Sequence, residues 1–251
     1  MHTLITNDDG ITSPFLRPLV DAFAKLGPVT VAAPATEQSW IGKGMSRFKD
    51  VFLEERDDFN QPAYTLSGTP SDCVNIALAH ICESKPDLVV SGINIGHNTG
   101  LPFIAASGTV AGALEGALHS LPAIAASLAL PPEQYEKLKE GGEELDPFYE
   151  RQAEKASEIL AQFAKKEFPE SSESYAIVQN FNFPYTPLET AQIRLTVPAR
   201  KVSKALFEKT ENAFTFSYNA MEDRPISQLT DLACLQEGDI SHSILDYTKL
   251  S

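Results

Sequence analysis

The residues best suited to chemistry stand at the start of the chain, where Asn7-Asp8-Asp9-Gly10 follows a short β-branched and apolar run at residues 3–6. Such a run is typical of a β-strand, and Asn-Asp-Asp-Gly is typical of a turn. Within a regular strand Asp8 and Asp9 would point to opposite faces, whereas in a loop that leaves the strand both carboxylates can face one cation. An isolated Asp-Asp-Gly is more typical of a solvated turn than of a site, so its surroundings must decide between these interpretations.

Further oxygen donors follow two later strand-like runs. Ser39 lies in a loop rich in Ser, Gly and Thr at residues 36–46, and Asn94 and Asn98 lie in the loop after residues 88–90. Neither a histidine pair nor a cysteine pair joins these donors, which disfavours zinc and favours Mg²⁺, Mn²⁺ or Ca²⁺. The two carboxylates balance the charge of one divalent cation, while the serine and asparagine oxygens fill further positions without adding charge.

An anion site is predicted close to these donors. Ser107-Gly108-Thr109 precedes apolar residues at helical spacing, so it stands at the start of a helix. The first N–H groups of a helix are free and lie at the positive end of its dipole, which suits them to bind phosphate. Ser107 taken alone is more often a helix cap, and Asn94 is equally often a turn residue. Their combination with the carboxylates predicts metal-assisted chemistry on a phosphate ester.

The elements that must position these residues form an alternating β-α-β pattern. Ser13-Pro14 predicts a helix start after the first strand, and an apolar stripe at helical spacing follows it (Leu16, Leu19, Val20 and Phe23). The strands predicted before residue 130 are residues 3–6, 29–33, 51–53, 63–66, 88–90 and 123–128. Strands joined through a helix are parallel, and such crossovers are right-handed. Open α/β sheets bind their ligands at the carboxyl ends of these strands. We therefore expect the predicted donors to meet at one edge of the sheet.

The composition excludes several classes of protein. The chain has 251 residues, 43% of them hydrophobic and 22% charged, as in an ordinary globular protein. Its net charge of −14 argues against a nucleic-acid polymer as the main ligand, although a cation can mediate binding of one small phosphate ester. No apolar run reaches membrane-spanning length, so we expect a cytoplasmic protein that does not bind a membrane. Three scattered cysteines predict neither a disulfide framework nor a cysteine-rich metal site.

The last fifty residues differ from the rest. A long helix is predicted at residues 147–167 and strands at residues 175–180 and 192–197, but the periodicity weakens from about residue 199. We therefore predict a single α/β domain over residues 1–251, with a core of about 1–198 and a C-terminal arm of about 199–251. The apolar pieces of the arm are too short to form a core and would leave a large apolar surface on a monomer. A two-fold interface would bury them, which predicts a homodimer.

Several blocks of the sequence also resemble those of the stationary-phase survival protein SurE family. The matching blocks follow the family order: Asn7-Asp8-Asp9-Gly10, Ala33-Pro34 with Glu37-Gln38-Ser39, Gly68-Thr69-Pro70-Ser71-Asp72, Ser91-Gly92-Ile93-Asn94-Ile95-Gly96-His97-Asn98, Ser107-Gly108-Thr109-Val110 and Asn180-Phe181-Asn182-Phe183-Pro184. The resemblance implies a Rossmann-like three-layer sandwich with a mostly parallel central sheet and a C-terminal arm. It also implies a metal-dependent phosphatase that hydrolyses nucleoside 5′-monophosphates, and in some members 3′-monophosphates.

The resemblance further implies roles for individual residues. The divalent cation, one per subunit, would be bound by Asp8, Asp9, Ser39 and Asn94. The substrate phosphate would be bound by Asn98, Ser107, Gly108 and Thr109. Catalysis would depend on Asp8, Asp9 and Asn94. The arm would be exchanged between the subunits of a dimer, and in some members of a tetramer.

Three departures from the family pattern concern the pocket and the assembly. Trp40 stands where a small residue is usual, and it is open whether its ring stacks on a base or fills a gap at the rim. Ala106 stands where an aromatic residue is common, and the closing Ser-x-Thr-Pro-Leu block is altered at residues 241–245. His97 is either a loop histidine or a proton donor to the leaving group. The alternative function is a non-catalytic nucleotide or metal sensor on the same fold.

Overall fold

The structure is a computed structural model that describes residues 1–139, 145–168, 174–217 and 221–249. Residues 218–220 and 250–251 of the predicted arm therefore lie outside the described residues. The described strands are β1 (Thr3–Thr6), β2 (Val29–Pro34), β3 (Leu53–Arg56), β4 (Ala63–Leu66), β5 (Leu88–Ile95), β6 (Ala123–Leu128), β7 (Ile177–Phe183), β8 (Ile193–Thr196), β9 (Arg200–Val202), β10 (Phe207–Lys209), β11 (Phe214–Phe216), β12 (Glu222–Arg224) and β13 (Ile240–Asp246). The α-helices are α1 (Leu16–Ala24), α2 (Pro70–Ile76), α3 (Leu101–Ala106), α4 (Gly108–Leu118), α5 (Pro132–Lys139), α6 (Pro147–Glu167) and α7 (Asp231–Gln236).

The main sheet of the described residues has nine strands in the order β3-β4-β2-β1-β5-β6-β7-β13-β8. Within it, β3 with β4 and β13 with β7 pair antiparallel, while the other neighbours are parallel. The first strand thus lies inside the parallel part, between β2 and β5. The mostly parallel α/β sheet predicted from the sequence is confirmed. Among the described residues, no helix is long and apolar enough to cross a bilayer.

Helices cover both faces of this sheet. Ile5 and Val31 pack with buried residues of α1 and α6 on one face, whereas Leu4 and Ala32 pack with buried residues of α2 on the other. Because successive side chains of a strand point to opposite faces, strands that are buried on both sides read as continuous apolar runs. The three-layer sandwich is therefore confirmed. The first helix begins at Leu16, two residues after Pro14.

The division into a core before residue 198 and an arm after it differs from the observed sheet at β13. This strand belongs to the predicted arm, yet it lies between β7 and β8 in the main sheet. Its buried Ser241 and Ser243 place their hydroxyls 2.8 and 2.7 Å from the Thr196 hydroxyl of β8. Hydroxyl pairs replace apolar contacts at these core positions, so the run lacks the apolar alternation by which a strand is recognised in a sequence.

The part of the predicted arm that leaves the sheet consists of two antiparallel ribbons, which we call the ribbon arm (residues 200–224). In one ribbon β9 pairs with β12, and in the other β10 pairs with β11. Every residue of β10, β11 and β12 is exposed. Three-residue strands cannot bury an apolar face of their own, so these ribbons add little to the core.

Candidate functional site

The loop after β1 is closed by its own asparagine. The Asn7 side-chain amide donates to the Gly10 carbonyl at 2.8 Å, and the Gly10 N–H donates to Asn7 Oδ1 at 3.2 Å. Gly10 has a φ of +93°, which side-chain-bearing residues rarely adopt. This turn ends the strand abruptly and fixes Asp8 and Asp9 at its carboxyl edge.

Both carboxylates are held by groups from distant segments. Asp8, which is 4% exposed, accepts a 2.7 Å hydrogen bond from the Thr109 hydroxyl at its Oδ1. Asp9 accepts a 2.9 Å hydrogen bond from the Ile95 N–H at its Oδ2. Helix α4, which bears Thr109, can approach β1 because Gly108 has no Cβ. A Cβ added at Gly108 would lie only 2.8 Å from the Asp8 Cβ. Glycine at this position is therefore a packing requirement.

The two aspartates form an uncompensated acidic pair. Burial raises the pKa of Asp8 to about 6, because it disfavours the charged form more than the Thr109 hydrogen bonds favour it. Burial, followed by the negative charge of Asp8, raises the pKa of Asp9 well above its ordinary value. Neither carboxylate takes part in an ion pair among the described residues. The donor set therefore fits a hard divalent cation, which would neutralise this charge.

Ser39 and Asn94 lie on the wall of the same cavity as Asp8. This cavity has a volume of about 500 Å³, and Asn98 and Ser107 also line it. The loop bearing Ser39 is tied to β1 by the Gln38 N–H, which donates to the Asp8 carbonyl at 2.7 Å. The cavity wall thus includes five of the predicted site residues, three of them predicted cation ligands and two of them predicted phosphate ligands.

Asp9 and Ser39 have a second acidic neighbour that the sequence analysis did not assign to the site. Asp9 lines a smaller adjacent pocket of about 230 Å³ together with Glu37 and Tyr135. The Ser39 hydroxyl donates to Glu37. The charge of Glu37 contributes to the raised pKa of both aspartates. The site edge is therefore strongly negative before any cation binds.

The predicted anion site divides into two layers. Ser107 lines the cavity and caps α4, since its hydroxyl accepts a 3.0 Å hydrogen bond from the Val110 N–H. Thr109 is fully buried beneath the cavity, where its hydroxyl donates to Asp8 and accepts from the Asn98 amide at 3.3 Å. Thr109 therefore links the predicted metal ligands to the predicted phosphate ligands.

Asn98 is fixed by residues that the sequence analysis noted only as a matching block. Its side-chain amide donates to the Ser127 hydroxyl at 2.9 Å, and its backbone N–H donates to Asn182 Oδ1 at 2.7 Å. Its carbonyl accepts from the amides of Asn180 at 3.1 Å and of Asn182 at 3.3 Å. Both of these asparagines are fully buried in β7. Because both buried amides donate to the Asn98 backbone, we infer that Asn180 and Asn182 position Asn98.

The loop at residues 36–46 is anchored at three further points. Lys43 forms an ion pair with the buried Glu115 of α4, and the Gly42 N–H donates to the Ala106 carbonyl at 2.9 Å. The Ser46 N–H lies 3.1 and 3.2 Å from the two carboxylate oxygens of Asp72, which also closes the capping box of α2. A segment whose composition predicts flexibility is thus held on the helices that flank the cavity.

The rest of the cavity wall is formed mostly by residues that no motif predicts. Leu130, Pro132, Tyr135 and Glu136 contribute from α5 and the segment before it, and Phe103 contributes from α3. Trp40, which the sequence analysis noted, contributes from the loop at residues 36–46. The ring of His97 also lines the cavity, with its Nδ1 2.9 Å from the Thr99 hydroxyl. Desolvation, followed by the charge of Lys201, lowers the pKa of His97. Contacts between segments distant in sequence are not visible as a local pattern.

The chain is similar to known proteins over most of its length. A family model described as survival protein SurE matches residues 3–205. The 5′-nucleotidase SurE of Methanosarcina acetivorans is 36% identical over 244 residues, which cover 95% of this chain and 89% of that protein. The 5′-nucleotidase SurE of Fervidobacterium nodosum is 35% identical over 252 residues, which cover 96% and 89% respectively.

A solved structure extends the similarity to the fold. The crystal structure of the SurE protein from Aquifex aeolicus superposes with a TM-score of 0.75 at 28% identity, covering all of this chain and 95% of that one. The match therefore includes the C-terminal strand that returns to the sheet as well as the matched region at residues 3–205. On the family model, the relatives and this superposition together, the chain belongs to the SurE family.

Proposed function

We propose that this protein is a metal-dependent 5′-nucleotidase that hydrolyses nucleoside 5′-monophosphates to nucleoside and phosphate, with 3′-monophosphates as a second substrate class. The similarity to proteins named 5′-nucleotidase SurE supports the reaction. The observation that carries the proposal is the cavity in which the buried, uncompensated Asp8 adjoins the start of α4. A divalent cation and a phosphate monoester are the pair of ligands that together satisfy an acidic pair beside a helix N-terminus.

The chain's own residues divide the work of binding. We assign the cation to Asp8, Asp9, Ser39 and Asn94, and the phosphoryl oxygens to Asn98, Ser107, Gly108 and the backbone N–H of Thr109. Asn98 and the first N–H groups of α4 would orient the phosphorus toward a water molecule on the Asp8 side. Thr109 would act from beneath by fixing Asp8 and Asn98 relative to each other. A bound cation would polarise the attacking water and neutralise the charge that develops on the phosphoryl group.

The metal, the assembly and the location are also proposals. Oxygen donors of two carboxylates favour Mg²⁺ or Mn²⁺, one ion per subunit, with Ca²⁺ able to occupy the same donors. We propose a homodimer formed through the ribbon arm, with a tetramer as a further possible state, because exposed aromatic residues are concentrated on its short strands. A cytoplasmic location stays a prediction of the composition.

A phosphate-release assay tests the reaction directly. Purified full-length protein is incubated with AMP after EDTA treatment, and then with Mg²⁺, Mn²⁺ or Ca²⁺ added back. We expect no release in EDTA and restored release with Mg²⁺ or Mn²⁺, because an uncompensated acidic pair cannot stabilise a phosphoryl anion. Isothermal titration with Mn²⁺ measures cation binding in the same sample.

The two measurements separate the proposed function from its alternative. Mn²⁺ and AMP binding without any phosphate release would replace the enzyme with a nucleotide or metal sensor. Full activity in EDTA would remove the cation from the reaction. Phosphate release from 3′-AMP would support the second substrate class, and its absence would restrict the enzyme to 5′-monophosphates.

A further inference from the structure

We propose that the indole of Trp40 is a seat on which the base of the substrate stacks, and that edge contacts from Phe103 and from Phe216 of the ribbon arm hold this ring in place. This inference rests on the proposed function, because it assigns the nucleoside part of the substrate to the outer part of the same cavity. Trp40 and Phe103 both line that cavity, together with Asp8 and Ser107.

The position of Trp40 in the chain brings its ring to the site. Trp40 directly follows Ser39, so its Cα lies one residue, about 3.8 Å, from a predicted metal ligand. Its φ is +61°, a conformation that a bulky side chain rarely adopts and that persists only where the surroundings enforce it. The anchors of this loop at Gly42 and Lys43 supply that constraint. The backbone thus turns an indole toward the cavity mouth at a conformational cost.

Among the described residues, the aromatic rings that contact Trp40 meet it edge-on, and none of them lies parallel to its indole. Its ring centroid lies 5.6 Å from that of Phe103 and 5.3 Å from that of Phe216, at interplanar angles of 61° and 63°. Both are edge contacts, which fix the direction of the indole plane. The side chain still has 43% of its surface exposed. A ring that is held at its edges and partly exposed leaves room for a base to stack parallel to it. A residue that only fills a gap at the rim would not need an exposed ring face.

The charge of the cavity selects the chemistry of that partner. Asp8 and Glu136 line the cavity, and Glu37 lies beside it, so its walls are negative apart from the helix start. A second anionic group on the substrate would be repelled there, whereas a neutral planar ring gains stacking energy and loses little solvation. A nucleoside monophosphate meets this requirement, because its ribose joins the phosphate to a neutral aromatic base. Every base has a π-face, so stacking would accept several bases.

Kinetics with matched substrates test the seat. AMP and ribose 5-phosphate share the scissile phosphate and the ribose, and they differ in the base. We expect Trp40→Ala to lower the ratio of kcat/KM for AMP to that for ribose 5-phosphate by roughly ten- to a hundredfold, the size of a lost base stack. Trp40→Phe keeps an aromatic face and should retain most of the ratio. An unchanged ratio in Trp40→Ala would overturn the seat.

A supporting residue can be tested on the arm. Phe216→Ala should lower the same ratio by a smaller factor, because the indole would lose one of its two edge supports. Phe214→Ala, on the same strand with a ring 69% exposed, is the matched control. An equal loss in both variants would mean that the ribbon as a whole, and not the Phe216 contact, matters.

Fluorescence keeps this inference separable from the proposed function. Trp40 is the single tryptophan of the chain, so the intrinsic tryptophan signal reports on this ring alone. We expect saturable quenching on titration with adenosine and none with ribose, and neither compound carries a phosphate to be hydrolysed. Quenching by adenosine without phosphate release from AMP would retain the seat and reject the nucleotidase. Phosphate release from AMP without quenching by adenosine would retain the nucleotidase and reject the seat.

Discussion

The carboxyl edge of the sheet, where the candidate site lies, and the ribbon arm differ in how far their residues are buried. Every residue of β1, β2 and β6 is buried. Asp8 after β1 accepts a hydrogen bond from Thr109 of α4, and Ser127 of β6 accepts one from Asn98 in the loop after β5. Every residue of β10, β11 and β12 is exposed. The exposed Asp223 and Glu222 of β12 form ion pairs with Lys201 of β9 and with Lys204, which follows β9. Buried polar networks determine positions closely, whereas exposed ion pairs contribute little to stability.

This difference assigns distinct roles to the two regions. Asp8, Thr109 and Asn98 form a chain of hydrogen bonds from β1 through α4 to the loop after β5, so moving one group disturbs the others. The described residues of the ribbon arm show no comparable buried network, and the contact of Phe216 with Trp40 joins the arm to the cavity. Changes at the site edge should therefore act on chemistry, and changes on the arm should act on assembly or on substrate choice.

The largest effect is expected from Asp8→Asn. The change removes one of two anionic ligands, so kcat/KM at limiting Mn²⁺ should fall by at least roughly a thousandfold, the several kcal/mol that a metal ion contributes. The fold should survive because the carboxylate is uncompensated in the metal-free chain. Asp223→Asn, which removes the same charge from the arm, should keep turnover. Near-unchanged kinetics of Asp8→Asn would remove Asp8 from the cation site.

The next effect is expected from Thr109→Val. The substitution keeps the β-branched shape but deletes the hydroxyl that joins Asp8 to Asn98. We expect a loss of roughly ten- to a hundredfold in kcat/KM, the size typical of one oriented donor in a site. The control is Thr3→Val, because the buried Thr3 hydroxyl has no hydrogen-bond partner in the described structure. Equal kinetics in both valine variants would reduce Thr109 to a packing residue.

A smaller effect is expected from Phe214→Ser on the ribbon arm. If the arm forms the dimer interface, the loss of this ring should raise the dimer dissociation constant roughly tenfold while kcat for AMP changes little. Sedimentation equilibrium measures the constant. Phe48→Ser is the control, since this phenylalanine is 92% exposed outside the arm. A wild-type protein that is monomeric at micromolar concentration would contradict the proposed dimer.

The smallest effect concerns pH. The folded-state pKa of Asp8, about 6, exceeds its ordinary value of 3.8, so the metal-free folded chain holds a proton that the unfolded chain releases. The resulting stability is complete below pH 3.8 and is lost as the pH rises through about 6. Calorimetry in EDTA should therefore show a Tm a few degrees lower at pH 7 than at pH 5. Asp8→Asn should show a flatter profile, and saturating Mn²⁺ should restore the Tm at pH 7.

Local sequence patterns were sufficient to predict where the donors lie relative to the ends of strands and the starts of helices. Asp8 and Asp9 follow a β-branched run and precede a glycine, and Ser107 precedes an apolar helix, so strand end and helix start can be read from neighbouring residues. Because parallel strands share one carboxyl edge, those local readings also predicted that the donors meet there. The parallel strands followed from the same alternation of runs, whereas the three-layer sandwich was implied by the resemblance to the SurE family.

Only the tertiary structure decided which residues bond across the chain. Thr109 lies beneath Asp8 because Gly108 lets α4 approach β1, and β13 enters the sheet because Thr196 pairs with two of its serines. The indole of Trp40 meets Phe216 although 176 residues separate them in sequence. No local pattern encodes such contacts, because their free energy depends on which distant atoms fill the adjoining space. The sequence by itself thus determined which polar groups follow each strand. The packing of distant segments determined how those groups are oriented.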